Sequence, residues 1–119
     1  TEVEVWGSGR PVREFLYVED CAEAIVRAAE VYNDLTPLNI CCGEGTSIRK
    51  LAELVKGTAG FRGEIVWNTE KPDGQMMKVL DATRMERTLN WYPPTSLADG
   101  LRKTVDWYVA EKATADLRV

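Results

Sequence analysis

Two stretches of this 119-residue chain set charged and aromatic side chains into turn-forming sequence, where binding groups tend to concentrate. In the first, Trp6 and Arg13 flank Gly7-Ser8-Gly9-Arg10-Pro11, and the stretch runs on to Asp20. An indole offers a flat apolar face to a base or sugar. A guanidinium forks onto a diphosphate through two parallel hydrogen bonds. The second, Lys71 to Asp81, carries Asp73 and Lys78 in irregular, turn-like sequence. Plainer readings stand beside these. Composition by itself favours Trp6 in the core, Arg13 paired with a carboxylate, and Asp20 as a helix cap rather than an acid. It makes the Lys71–Asp81 stretch a connector.

Two other patterns resemble chemical motifs and are better explained by structure. Gly43-x-Gly45 opens a helix after an apolar run, as a dinucleotide fingerprint does, but Ile48 stands where the third glycine belongs. Ordinary turn chemistry accounts for it, and no cofactor site is read there. Tyr108 and Lys112 match the Tyr-x-x-x-Lys spacing that lets an ammonium lower a tyrosine pKa from one helix face. They lie in the last helix with no nucleotide-binding unit before them, so an amphipathic helix is the reading.

The positioning elements follow from periodicity. Thr1–Trp6 alternates like a half-buried strand, and Arg13–Val18 reads as extended. A helix is expected from Asp20 to Tyr32, capped by Asp20 and burying Ala22, Ile25, Val26 and Ala29. Leu38–Cys42 reads as a strand ending in the Gly43-Glu44-Gly45 turn. Thr46 or Ser47 then caps a second helix with Ile48, Leu51, Ala52 and Val55 inward, ended by Gly57 and Gly60. Glu64–Trp67 is a strand, Asn68–Met77 a loop, and Asp81–Leu89 a short helix. Beyond Pro93-Pro94, Ser96 and Asp99 start a final helix with Leu97, Leu101, Val105 and Tyr108 on one face. Alternating strands and helices define an α/β chain with some parallel pairing.

Composition narrows the chemistry. With 45% hydrophobic and 29% charged residues the chain is of ordinary globular type and one domain in length. A net charge of −4 disfavours non-specific binding to nucleic acid or anionic membranes, though not a local basic pocket. The absence of histidine excludes a Ser-His-Asp triad, a Cys-His pair and any His-ligated metal within these residues. Cys21, Cys41 and Cys42 have no zinc or disulfide spacing and read as reduced cytosolic thiols. No apolar run approaches the roughly 20 residues of a membrane span. The first residue is Thr1, so a fragment, a processed product or an expressed piece is expected.

The order of these pieces resembles the extended short-chain dehydrogenase/reductase family of sugar-nucleotide epimerases and dehydratases. The pieces are Trp6-Gly-Ser-Gly…Arg13-Glu-Phe, Leu38–Val55, Lys71-Pro-Asp-Gly…Lys78-Val-Leu-Asp81 and Ser96–Tyr108. Within that family they are similar to the branch that converts GDP-4-keto-6-deoxymannose to GDP-L-fucose, by double epimerisation and NADPH-dependent reduction. Here the chain departs in two places: Gln75-Met76-Met77 precedes Lys78 where the branch has one more basic residue, and Tyr17 stands where it often has histidine. The resemblance implies a C-terminal, substrate-binding domain over residues 1–119, joined to the last Rossmann strand and helix and lacking the cofactor-binding half. It implies GDP-sugar contacts by Trp6, Arg13, Asp73 and Lys78. The glycine-rich NADP(H) loop and the catalytic Ser, Tyr, Lys, Cys and His would lie upstream, so residues 1–119 alone would be catalytically silent. It further implies a cytoplasmic homodimer, with the helix from Asp20 and the strand Leu38–Cys42 packed on the cofactor domain. Another nucleotide-sugar epimerase or dehydratase, and a stand-alone binding or assembly module, remain alternatives.

Overall fold

Parallel pairing of two separated strands organises half of the molecule in the computed structural model, which describes residues 1–115. Strand β1 (Glu2–Trp6) lies beside β4 (Glu64–Asn68), with Val3 opposite Ile65 and Val5 opposite Trp67. Alternation along each strand gathers these apolar side chains on one face. Helix α2 (Ile48–Thr58) covers that face with Ile48, Leu51, Ala52 and Val55, as its periodicity requires, leaving an apolar cleft of about 370 Å³ that Phe61 also lines. A second, three-stranded sheet runs in the order β3 (Thr46–Ser47), β2 (Val12–Arg13), β5 (Met77–Lys78). In it β2 is antiparallel to β3 and parallel to β5.

The main core lies elsewhere. Among the described residues its buried apolar members are Ala24, Cys41, Ala82, Met85 and Leu89. Ala24 comes from helix α1 (Val18–Val31), and Met85 and Leu89 from helix α3 (Thr83–Leu89). Leu38, Ile40 and Trp91 pack around them. Helix α4 (Leu97–Ala115) starts with the expected box: the Ser96 hydroxyl donates to Asp99 Oδ2 at 2.7 Å and accepts from Asp99 N at 3.1 Å. Leu97, Leu101 and Val105 are half-buried, whereas Tyr108 is exposed. Ser47 caps α2 by accepting from Lys50 N at 3.2 Å. The helix runs through Gly57 and turns at Gly60, whose φ is +65°.

Three expectations are corrected. Helix α1 begins at Val18, with Tyr17 preceding it and providing no side-chain cap, so Asp20 sits inside the first turn. Its buried carboxylate instead accepts from Thr95 N at 2.9 Å and the Thr95 hydroxyl at 2.8 Å, pinning the Pro93-Pro94-Thr95 loop. The inward stripe of α1 is Ala24 and Ala28, while Ile25 and Val26 are 55% and 58% exposed. The apolar arc of α1 is broad, with Glu19, Glu23, Arg27 and Glu30 on the opposite side, and α3 packs on the edge of that arc that carries the small side chains. The segment Leu38–Cys42 forms no strand, because no partner strand lies beside it among the described residues.

The molecule has a large surface for its mass. Its accessible area is 8524 Å², where a folded monomer of this size exposes about 6,500 Å². Its radius of gyration is 16.8 Å, against about 13.5 Å for a compact domain of equal length. Among the described residues no helix is long and apolar enough to cross a membrane.

Candidate functional site

The two stretches singled out in the sequence run side by side. At one end the Asp73 carboxylate accepts from Ser8 N at 2.5 Å and from the Ser8 hydroxyl at 2.7 Å. These two bonds hold the Asp73 carboxyl below its ordinary pKa, the backbone bond contributing more. At the other end Val12 N donates to Met76 O at 2.8 Å, and Arg13 and Lys78 become register partners. The fold thus brings Trp6, Arg13, Asp73 and Lys78 onto two adjacent segments.

Arg13 occupies the central strand of its sheet, with Thr46 opposite on one side and Lys78 on the other. Register partners project to the same face of a sheet. Arg13 is half-buried and donates to Val12 O at 2.8 Å, while Lys78 is exposed. Among the described residues neither cation has a carboxylate partner, the ion pairs being Arg27–Glu23, Arg84–Asp34 and Arg102–Asp99. Trp6 is not a core residue: it is 67% exposed, its indole N–H donates to Glu4 Oε1 at 3.0 Å, and Lys71 Nζ lies 5.1 Å from its ring centroid.

The glycine segment between Trp6 and Arg13 is a clasp. Gly9 O and Pro11 O accept from Arg49 N and Ile48 N, both at 2.9 Å, which satisfies the first free donors of α2. Gly9 has a φ of +75°, and a Cβ there would lie 2.7 Å from the Trp67 ring. The Arg49 guanidinium stacks 4.4 Å from the centroid of that ring and donates to Ser8 O at 2.6 Å.

A dinucleotide does not fit the Gly43–Gly45 turn. The donors that would face a pyrophosphate at the start of α2 are already bonded to Pro11, Gly9 and Ser47. A Cβ at Gly45 would lie 2.6 Å from Val12 Cγ1, so this glycine serves close packing. Tyr108 and Lys112 share a face on the exposed part of α4, with Lys112 Nζ 5.9 Å from the ring centroid.

One residue of the motif was not singled out from the sequence. Glu14 accepts from Gly43 N at 3.0 Å and from Leu80 N at 3.2 Å, and Cys42 Sγ lies 3.8 Å from Oε2. These partners are distant in sequence, so only its place inside Arg13-Glu14-Phe15 could have drawn attention to it. Close by, Phe15, Cys42, Glu44, Thr46 and Tyr92 line a cleft of about 240 Å³. There the Tyr92 hydroxyl donates to Glu44 at 3.1 Å, and that bond raises its pKa.

Residues 1–41 match the model of the NAD dependent epimerase/dehydratase family. Within it, the chain resembles the GDP-L-fucose synthases. It is 47% identical to GDP-L-fucose synthase 1 of Arabidopsis thaliana over 91% of its own length and 33% of that protein. The crystal structure of a GDP-L-fucose synthetase from Naegleria fowleri bound to NADP superposes with a TM-score of 0.90 at 30% identity, over 96% of this chain and 36% of that one. A UDP-glucose 4-epimerase of Thermotoga maritima, solved with UDP-glucose, superposes with a TM-score of 0.83 at 33% identity, over 93% and 36%. The chain therefore spans about a third of the length of these relatives.

Proposed function

We propose that residues 1–119 are the GDP-sugar-binding, C-terminal domain of an NADP(H)-dependent epimerase/reductase of the GDP-L-fucose synthase type. The observation that carries this reading is the register pairing of Arg13 with Lys78, two cations on one sheet face without a carboxylate partner among the described residues. A diphosphate is the anion that such a pair suits: the arginine forks onto two oxygens and the lysine adds a point charge. Trp6, exposed at the end of β1, supplies the face for the base. Asp73 holds the second segment against the first through Ser8.

The cofactor belongs to another part of the same cytoplasmic polypeptide. In support, the accessible area exceeds that of a compact protein of this mass by about 2,000 Å², enough for a contact with a second domain. Val18, Ile25 and Val26 on α1 and the unpaired segment Leu38–Cys42 are the expected contact.

Calorimetric titration of GDP into the natural polypeptide tests the reading. Arg13→Ala and Lys78→Ala should each weaken GDP about ten- to a hundredfold, the value of one charge-assisted bond. Arg13→Lys should recover part of the loss. Equal affinities in all four proteins would return both cations to the solvated surface. A second reading, a UDP-sugar epimerase, is favoured by the likeness to the Thermotoga enzyme. Preference for UDP over GDP in the same titration would establish it.

A further inference from the structure

We propose that Glu14 is the positioning residue of the phosphate clamp, setting the spacing of Arg13 and Lys78 from just beyond the end of β2; this rests on the diphosphate reading above. The ladder joining these cations is minimal, since β2 and β5 contribute two residues each. Beyond Lys78 the chain is held to the end of β2 by the Glu14 side chain, whose Oε1 accepts from Leu80 N at 3.2 Å. Its Oε2 accepts from Gly43 N at 3.0 Å, with the Cys42 thiol 3.8 Å away. One carboxylate therefore fastens the end of β2, the segment leaving β5 and the turn before β3, the three chain segments that make up this sheet. Glu14 directly follows β2, and its carboxylate spends both oxygens on these backbone donors and forms no ion pair with Arg13, so it braces the ladder without neutralising the guanidinium.

The chemistry of the group is specific. Both carboxylate oxygens receive a backbone N–H, so both must accept. Glutamine has one acceptor oxygen and would turn its NH₂ toward a second N–H donor. Aspartate keeps both acceptors and the charge but is one methylene shorter. The expected order of function is therefore Glu, then Asp, then Gln.

The test uses the natural polypeptide and two probes, GDP and guanosine, with Glu14→Gln, Glu14→Asp, Arg13→Ala and the Arg13→Ala/Glu14→Gln double variant. Glu14→Gln should weaken GDP about tenfold and leave guanosine within about twofold, because only the phosphate grip is disturbed. Glu14→Asp should fall between. In the Arg13→Ala background, Glu14→Gln should change GDP affinity by a smaller factor than in wild type, since one of the two cations whose spacing it sets is gone. Unchanged GDP affinity in Arg13→Ala would overturn the diphosphate reading itself. A large loss in Arg13→Ala with wild-type affinity in Glu14→Gln would overturn the positioning role alone. Should Glu14→Gln not fold, Glu14→Asp decides: equal losses for GDP and guanosine make Glu14 a general brace and overturn the proposal.

Discussion

Arg13 and Lys78 stand opposite each other on neighbouring parallel strands, though more than half of the chain separates them in sequence. Like charges placed side by side across a sheet repel, and no described carboxylate forms an ion pair with either cation. A bound dianion would. Saturating GDP should therefore raise the unfolding temperature of the natural polypeptide, by the equivalent of about 2.7 kcal/mol at a hundred times its Kd. Guanosine at the same concentration should raise it less. Equal shifts in scanning calorimetry contradict phosphate contact.

The same substitution should have opposite signs at two glycines. Gly9→Ala forces an alanine to φ +75° with its Cβ 2.7 Å from the Trp67 ring, and should cost about 1–3 kcal/mol. Gly57 lies inside α2 with nothing within 4 Å of a built Cβ, so Gly57→Ala should stabilise by about 0.5–1 kcal/mol. Chemical denaturation of the two variants beside wild type reads both.

Asp73 should make stability fall in acid. Its folded pKa is depressed below the ordinary 3.8 by the Ser8 backbone and hydroxyl bonds. Its contribution is thus complete above that value and is lost as pH falls below 3.8 through the lower folded value. Asp73→Asn should be less stable than wild type at pH 7, and the difference should narrow as pH falls below 3.8. A gap that is constant with pH would detach the carboxylate from the effect.

The outward face of α1 should govern association. Ile25 and Val26 are more than half exposed, and bare apolar faces drive self-association. Residues 1–119 on their own should sediment as a dimer or larger species. Lys at both Ile25 and Val26 should restore the monomer, but in the full polypeptide it should weaken the domain contact and lower the unfolding temperature. A clean monomer of the unmodified 119 residues at high concentration would contradict this.

Much of the scaffold was legible in the sequence, and its limits have physical causes. The faces of α2 and β1 and the Ser96–Asp99 start of α4 follow from local periodicity and capping. The inward face of α1 does not. Its outer face carries the larger apolar side chains, Ile25 and Val26, so periodicity selected the exposed side over Ala24 and Ala28. Leu38–Cys42 has strand-like composition, yet pairing depends on a neighbour that composition does not reveal. At the site, residue types and turn context marked out Trp6 and Arg13. The family resemblance selected Asp73 and Lys78, and only the fold put Lys78 opposite Arg13. Glu14 escaped notice because all its partners are backbone groups or a thiol from remote segments.

The length of the glycine clasp acts as a polarity setting. The clasp is fixed at its α2 end by bonds from Gly9 and Pro11, and β2 adds only Val12 and Arg13 before the chain leaves the sheet. Deleting Val12, the one residue between the Pro11 anchor and Arg13, would advance the strand by a single step and turn every side chain over. Glu14 would then stand where Arg13 now points, and an anion would replace a cation on the face that Lys78 shares. A deletion that alters no charged residue would reverse the sign of half the cationic pair.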